Sequence, residues 1–166
     1  ILSRAISDAM KEAGFLRAST THLGWYRAIR NSESYVAAFL VLGRYGWSQE
    51  TGGEFSFQFQ EGVEVHPFAH HTRLAWLNQL LSDTARTEAL QIHNKIALSL
   101  KDPYFERPEW SSLTPEDRSN SIDWGRYGTR VRRTSIDSIE VFEMIYYALD
   151  DVRLWAEFLR ANIRGI

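Results

Sequence analysis

The chain of 166 residues contains no cysteine. That removes disulfides, thiol catalysis, iron–sulfur clusters and Cys-based zinc sites. Proline is scarce, and three of the four prolines fall between Asp102 and Asn120. No apolar run reaches the roughly 18–20 residues of a membrane span. The longest, Tyr35 to Leu42, has the length of a strand. Neither sign of charge dominates, since 19 Lys and Arg stand against 21 Asp and Glu. This balance supplies no global basic footprint of the kind nucleic-acid binders carry, and it leaves a local one open. The metal and nucleotide motifs His-Glu-x-x-His, G-x-x-x-x-G-K-[ST] and G-x-G-x-x-G are missing. So is the G-x-S-x-G nucleophile elbow. A Cys-free chain fits a reducing, cytoplasmic setting. The chain begins at Ile1, which leaves a trimmed leader open.

Aromatic residues, by contrast, are plentiful: six Trp, seven Tyr and nine Phe. Burial accounts for most of them, because each carries a large apolar area. The most informative stretch is Phe55-Ser56-Phe57-Gln58-Phe59-Gln60-Glu61-Gly62-Val63-Glu64-Val65. Its apolar and polar residues alternate with period two. One set therefore faces a core, and Ser56, Gln58 and Gln60 face water or a ligand. This is the pattern of a central antiparallel strand with one open face.

In chain order, Leu2, Ile6, Ala9, Met10 and Ala13 mark a short amphipathic helix stopped by Gly14. Leu23 to Ile29 and Tyr35 to Leu42 read as strands separated by the turn Asn31-Ser32-Glu33-Ser34. Gly43 to Gly53, with four glycines, forms a long hairpin loop. Three sequential strands make a meander the simplest pairing. Leu74, Leu77, Leu81, Ala85, Ala89, Ile92 and Ile96 predict helix from about Thr72 to Leu100, broken at Ser82-Asp83-Thr84. Asp102 to Asn120 reads as an irregular excursion. Trp124 to Arg133 reads as a further strand, and the β-branched and aromatic content of Ile139 to Tyr147 favours a strand there too. Asp150 caps a final helix that buries Trp155, Phe158, Leu159 and Ile163. The expected architecture is one α+β domain over residues 1–166, a single antiparallel sheet with a meander core packed on one face by helices.

The order of pieces resembles an uncharacterised bacterial family, domain of unknown function 4304. The resemblance rests on Gly14-Phe15, Trp25-Tyr26-Arg27, Phe55-Ser56-Phe57-Gln58-Phe59 with Gly62-Val63, and the closing Tyr147-Ala148-Leu149-Asp150-Asp151-Val152-Arg153-Leu154-Trp155. It implies a small bacterial α+β domain and brings no activity or catalytic residue with it.

Four constellations compete for function. Arg44, Tyr45 and Trp47 sit in the glycine-rich loop, and such residues are enriched at protein interfaces. The plain alternative is a loop whose Trp47 folds back onto the sheet. Trp124, Arg126, Tyr127, Arg130, Arg132 and Arg133 interleave aromatics with guanidinium groups, a chemistry suited to stacking bases and neutralising phosphate. Nearby Glu116, Asp117 and Asp123 dilute that charge, and the plain alternative is a solvated edge strand whose charges discourage edge-to-edge aggregation. His66, His70 and His71, with Glu64, invite a metal and a hydrolase, although Pro67 separates His66 from any helix holding the others. Asp150-Asp151 reads as a helix cap rather than an acid–base pair. The reading favoured is a non-enzymatic bacterial module that binds a protein partner, in an immunity-like role or a similar one, without cofactor or membrane. Its contact residues would be Arg44, Tyr45, Trp47, Gln58, Gln60, Trp124, Arg126, Tyr127 and Arg130. A metal-dependent hydrolase and a nucleic-acid binder are the rivals. The sequence sets no oligomeric state.

Overall fold

The structure, a computed structural model, describes residues 2–18, 24–43, 47, 52–62, 71–99, 133, 135–137 and 139–166. For positions 71–74 and 98–99 it describes the backbone alone. Helix α1 (Leu2–Glu12) buries Ile6, Ala9 and Met10 and ends at Gly14, whose φ of 86° lies in the left-handed region that glycine enters freely. Strands β1 (Leu16–Arg17), β2 (Gly24–Ala28), β3 (Tyr35–Leu42), β4 (Gly53–Gly62) and β5 (His71–Trp76) pair antiparallel in sequence order. The turn between β2 and β3 is the predicted one: Asn31 takes φ 61°, and Ile29 N–H donates to the Ser34 carbonyl at 2.9 Å.

A sixth strand, β6 (Met144–Tyr146), also pairs with β4. β3 occupies one edge of β4 from Phe55 to Gly62. On the other edge β5 takes Gln58–Gly62 and β6 takes Gly53–Phe55, so the two lie end to end along it. Helices α2 (Leu77–Leu80), α3 (Asp83–Ser99) and α4 (Leu149–Asn162) complete the described elements. This is the expected α+β fold, with one antiparallel sheet. None of the described helices is long and apolar enough to cross a membrane.

The helices cover the sheet face that carries Trp25, Phe55, Phe57 and Phe59, all buried. Phe15 meets Phe59 edge-on at 6.5 Å, Trp25 meets Phe57 at 6.0 Å, and Trp155 meets Phe142 and Phe158 at 6.1 and 5.8 Å. These tilted and T-shaped pairs fit ring quadrupoles better than a face-to-face sandwich does. Arg27 closes one end of this layer. Its guanidinium donates to the carbonyls of Ala13, Arg164 and Ile166 and lies 4.7 Å from the Phe15 ring centre. A cation among carbonyls at the C-terminal ends of α1 and α4 is favoured by both helix dipoles.

Several expectations need correcting. The helix foreseen from Thr72 begins only at Leu77; His71–Trp76 is a strand instead. Leu74, Leu77 and Leu81 keep helical spacing only because the chain passes from strand to helix between them. The break at Ser82 is present, and the Ser82 hydroxyl accepts the Ala85 N–H at 3.3 Å as the cap of α3. Of the stretch Ile139–Tyr147, only Met144–Tyr146 is strand. The residues before it are held by a side chain: buried Asn78 donates to the Ile139 carbonyl at 2.7 Å and accepts the Phe142 N–H at 3.4 Å. The N-cap of α4 is Ala148, and the carboxylate that reaches back to it is that of Asp151 at the third helical position rather than Asp150; one of its oxygens accepts the N–H groups of Tyr147 and Ala148, each at 2.8 Å. Asp150 sits in the first turn and pairs with Arg153 at 2.7 Å. The Asp102–Asn120 excursion and nearly all of the Trp124–Arg133 stretch lie outside the described residues.

β6 is only three residues long and depends on α4 for its place. Trp155, fully buried, donates its indole N–H to the Ile145 carbonyl at 2.7 Å. Trp155→Phe keeps the ring packing and strands that carbonyl. We predict a loss of about 1–3 kcal/mol in urea unfolding. An unchanged midpoint would mean the bond contributes nothing to holding β6.

Candidate functional site

The second face of the sheet differs from the open polar surface expected. Ser56 and Gln60 are only 5% and 7% exposed, and Phe39 and Ala37 beside them are buried as well. Gln60 donates its amide to the Gln58 side-chain oxygen at 3.3 Å. Of the two glutamines only Gln58 keeps partial exposure, so this face offers a partner little polar surface.

Trp47 is placed differently. It stays 53% exposed, yet its indole N–H donates to the Tyr147 carbonyl at 3.1 Å. That bond fixes it beside the turn between β6 and α4. There Leu2, Tyr146, Tyr147 and Val152 form the floor and walls of a shallow groove of about 350 Å³. Trp47, Ala148 and Leu149 form its rim, and Leu149 is 41% exposed. The alternative of a Trp47 that folds back is met through its N–H, at the turn after β6 rather than on the sheet face, while its ring stays exposed.

Two glycines make room for the groove wall. Gly52, at φ 66°, lies against the Tyr146 carbonyl, where an added Cβ would come within 2.5 Å. Gly53 pairs with Tyr146, and its Cβ would fall 2.6 Å from the phenol ring. The Tyr146 ring packs against Phe55 at 5.9 Å. Burial raises the pKa of its hydroxyl above the ordinary 10.0, and the charge of Glu54 raises it further.

The remaining sequence candidates are not brought together by the described structure. Arg44, Tyr45, Trp124, Arg126, Tyr127 and Arg130 lie outside the described residues, as do His66 and His70. His71 opens β5, with its side chain outside them. Arg133, at the end of the basic stripe, is held on both sides. Its backbone N–H and carbonyl both bond the Asn94 amide at 2.9 Å, and its guanidinium lies 5.6 Å from the Phe142 ring centre. His93 is buried in α3 with its ring 5.6 Å from Phe142. Among the described residues no group of three or more His, Asp or Glu is placed to hold a metal ion.

Compared with protein-family models, curated proteins and solved structures, the chain matches none. The resemblance to domain of unknown function 4304 therefore rests on its motif positions alone.

Sequence reasoning selected Trp47 and missed its partners. Tyr146, Tyr147 and Leu149 read as parts of a strand and a helix start, and nothing local linked them to a loop 100 residues earlier. The usable signal was Gly52-Gly53, a pair that serves close approach rather than loop freedom.

Two measurements check this site. Gly53→Ala should displace the Tyr146 ring and cost about 1–3 kcal/mol by overpacking; an unshifted melting curve with wild-type ring resonances would contradict the close fit. Separately, Tyr146 should titrate above the ordinary tyrosine value of 10.0 in NMR of ring-labelled protein. Its raised pKa contributes stability that is complete below pH 10 and fades as pH climbs through the folded-state value. Glu54→Gln should lower that value without restoring it fully, because burial is the larger cause.

Proposed function

We propose that the protein is a binding module that recognises a protein partner through the groove at Trp47, Tyr147 and Leu149. The observation that carries this reading is an exposed tryptophan whose position is already fixed by a hydrogen bond. Tryptophan is the residue most enriched among interface hot spots. A ring held in place loses little further freedom on binding. Leu149, also exposed, extends the apolar rim, and Val152 closes the floor. Surface apolar residues scattered singly need no explanation, whereas a grouped set in a concave site marks an interaction surface.

The test is capture of the partner from the native host by tagged protein, with Trp47→Ala and Leu149→Asp as groove variants and Gln58→Glu as a control on the other sheet face. Both groove variants should lose the captured protein, with affinity falling by about thirtyfold or more for Trp47→Ala, the loss expected of a hot-spot residue. Gln58→Glu should retain it. Capture that survives both groove changes would overturn the reading.

A further inference from the structure

Asp151 is not among the residues that line the groove. We infer that it is nevertheless the groove's positioning residue: its carboxylate, acting through the Tyr147–Ala148 peptide, fixes where the Trp47 ring stands. Its consequence for binding rests on the docking reading, whereas its effect on Trp47 does not.

One peptide unit joins the two side chains. Its carbonyl, that of Tyr147, accepts the Trp47 indole N–H at 3.1 Å. Its N–H, that of Ala148, donates to the Asp151 carboxylate at 2.8 Å. A peptide unit is planar, so the direction of its N–H sets the direction of its carbonyl. The same carboxylate oxygen also accepts the Tyr147 N–H at 2.8 Å, which fixes the peptide plane before this one. The Tyr147 carbonyl therefore cannot turn from Trp47 without breaking a charge-assisted hydrogen bond. An N–H bonded to an anion also polarises its own carbonyl, and hydrogen bonds in such a chain strengthen one another. The Trp47 ring is 53% exposed, so packing supports only part of it and the indole bond carries a larger share of its placement.

The neighbouring Asp150 separates this role from a general effect on the helix. Both acids lie in the first turn of α4, where either one complements the helix dipole. Asp150, however, is 83% exposed and pairs with Arg153 at 2.7 Å rather than with the Tyr147–Ala148 peptide. Stabilisation of α4 is common to the two carboxylates. Control of the Trp47 ring belongs to Asp151.

The test is NMR of the full chain carrying isotope-labelled tryptophan, with the Trp47 indole signal assigned by its loss in Trp47→Phe. Asp151→Asn and Asp150→Asn change the charge equally, one residue apart. Asp151→Asn should speed exchange of the Trp47 indole N–H with water by about threefold or more, within what a single hydrogen bond protects. The heteronuclear NOE of that N–H should fall towards the value of a mobile side chain. Asp151→Ala, which leaves no acceptor, should move both further. Asp150→Asn should leave both at their wild-type values. The Trp155 indole, buried and bonded to Ile145, reports whether β6 and α4 stay docked, and its signal should be unchanged in both Asn variants. Unchanged Trp47 exchange in the Asp151 variants would overturn the inference. So would an equal rise in Asp150→Asn, which marks a helix effect, or a parallel loosening of Trp155 in Asp151→Asn, which marks a general one. On the docking reading, Asp151→Asn should also lower capture of the host protein severalfold and Asp150→Asn should not. If capture ignores Trp47→Ala and Leu149→Asp while Trp47 loosens in Asp151→Asn, the docking reading has failed and the positioning role stands. If Trp47 stays firm in Asp151→Asn, the positioning role has failed whatever the groove variants do to capture.

Discussion

A strand has two edges, and β4 uses both to bind three neighbours. β3 runs the length of one edge; β5 and β6 divide the other. The rest of the arrangement follows from that division. β5 must end where β6 begins, so the chain turns out of the sheet at Trp76, whose extended backbone leads directly into α2. Asn78 then sits where it can clamp the segment that feeds β6. β6 is too short to persist on ladder bonds alone. The Trp155 indole ties it to α4, so β6 and the start of α4 are positioned together. The turn between them is delivered to the Gly52–Gly53 end of β4, beside Trp47. The groove is thus a consequence of how one strand's edge is shared.

The two glycines show how closely that junction is fitted. Glycine inside or beside a strand weakens it unless something must approach. Here the approach is that of Tyr146, whose carbonyl faces Gly52 and whose ring lies over Gly53. A side chain at either position would push β6 away from β4 and open the wall on which Tyr147 and Trp47 meet. The same contact buries the Tyr146 hydroxyl enough to make ionisation harder. Packing, backbone pairing and protonation state are therefore linked at one residue.

Much of the fold was legible because its signals are local. The alternation of Phe55, Phe57 and Phe59 named the buried face, and all three rings lie in the core. The spacing of Leu2, Ile6, Ala9 and Met10, and that of Trp155, Phe158, Leu159 and Ile163, named the buried faces of α1 and α4. Ser82 announced the start of α3 through capping chemistry. The failures occur where a local pattern is ambiguous or a partner is remote. Leu74, Leu77 and Leu81 satisfy helical spacing across a strand–helix boundary, because periodicity cannot see which residues have a strand to pair with. Asp150 and Asp151 are both good capping residues, and only the path of the Tyr147–Ala148 backbone decides between them. Ser56 and Gln60 read as solvent-facing from their parity, yet both are buried in the fold. The candidate groove was half legible, since Trp47 stood out and its partners did not.

The state of Trp47 is what separates this groove from an ordinary exposed apolar cluster. An unrestrained surface tryptophan has freedom to lose when a partner arrives, and its N–H must either stay hydrated or find a new acceptor. Here the N–H already has an acceptor within the fold. That acceptor is a carbonyl on the turn that Asp151 locks from the other side through the adjacent N–H groups. One peptide segment is therefore held from both directions, by an indole on its carbonyl and a carboxylate on its amides. A partner of the kind proposed would have only water to displace from rings already in position. Rigid aromatic surface of this kind contributes more per unit area to association than surface that must be ordered first. On the proposed binding role, folding and recognition draw on the same few hydrogen bonds, and a change that loosens the turn between β6 and α4 should weaken both together.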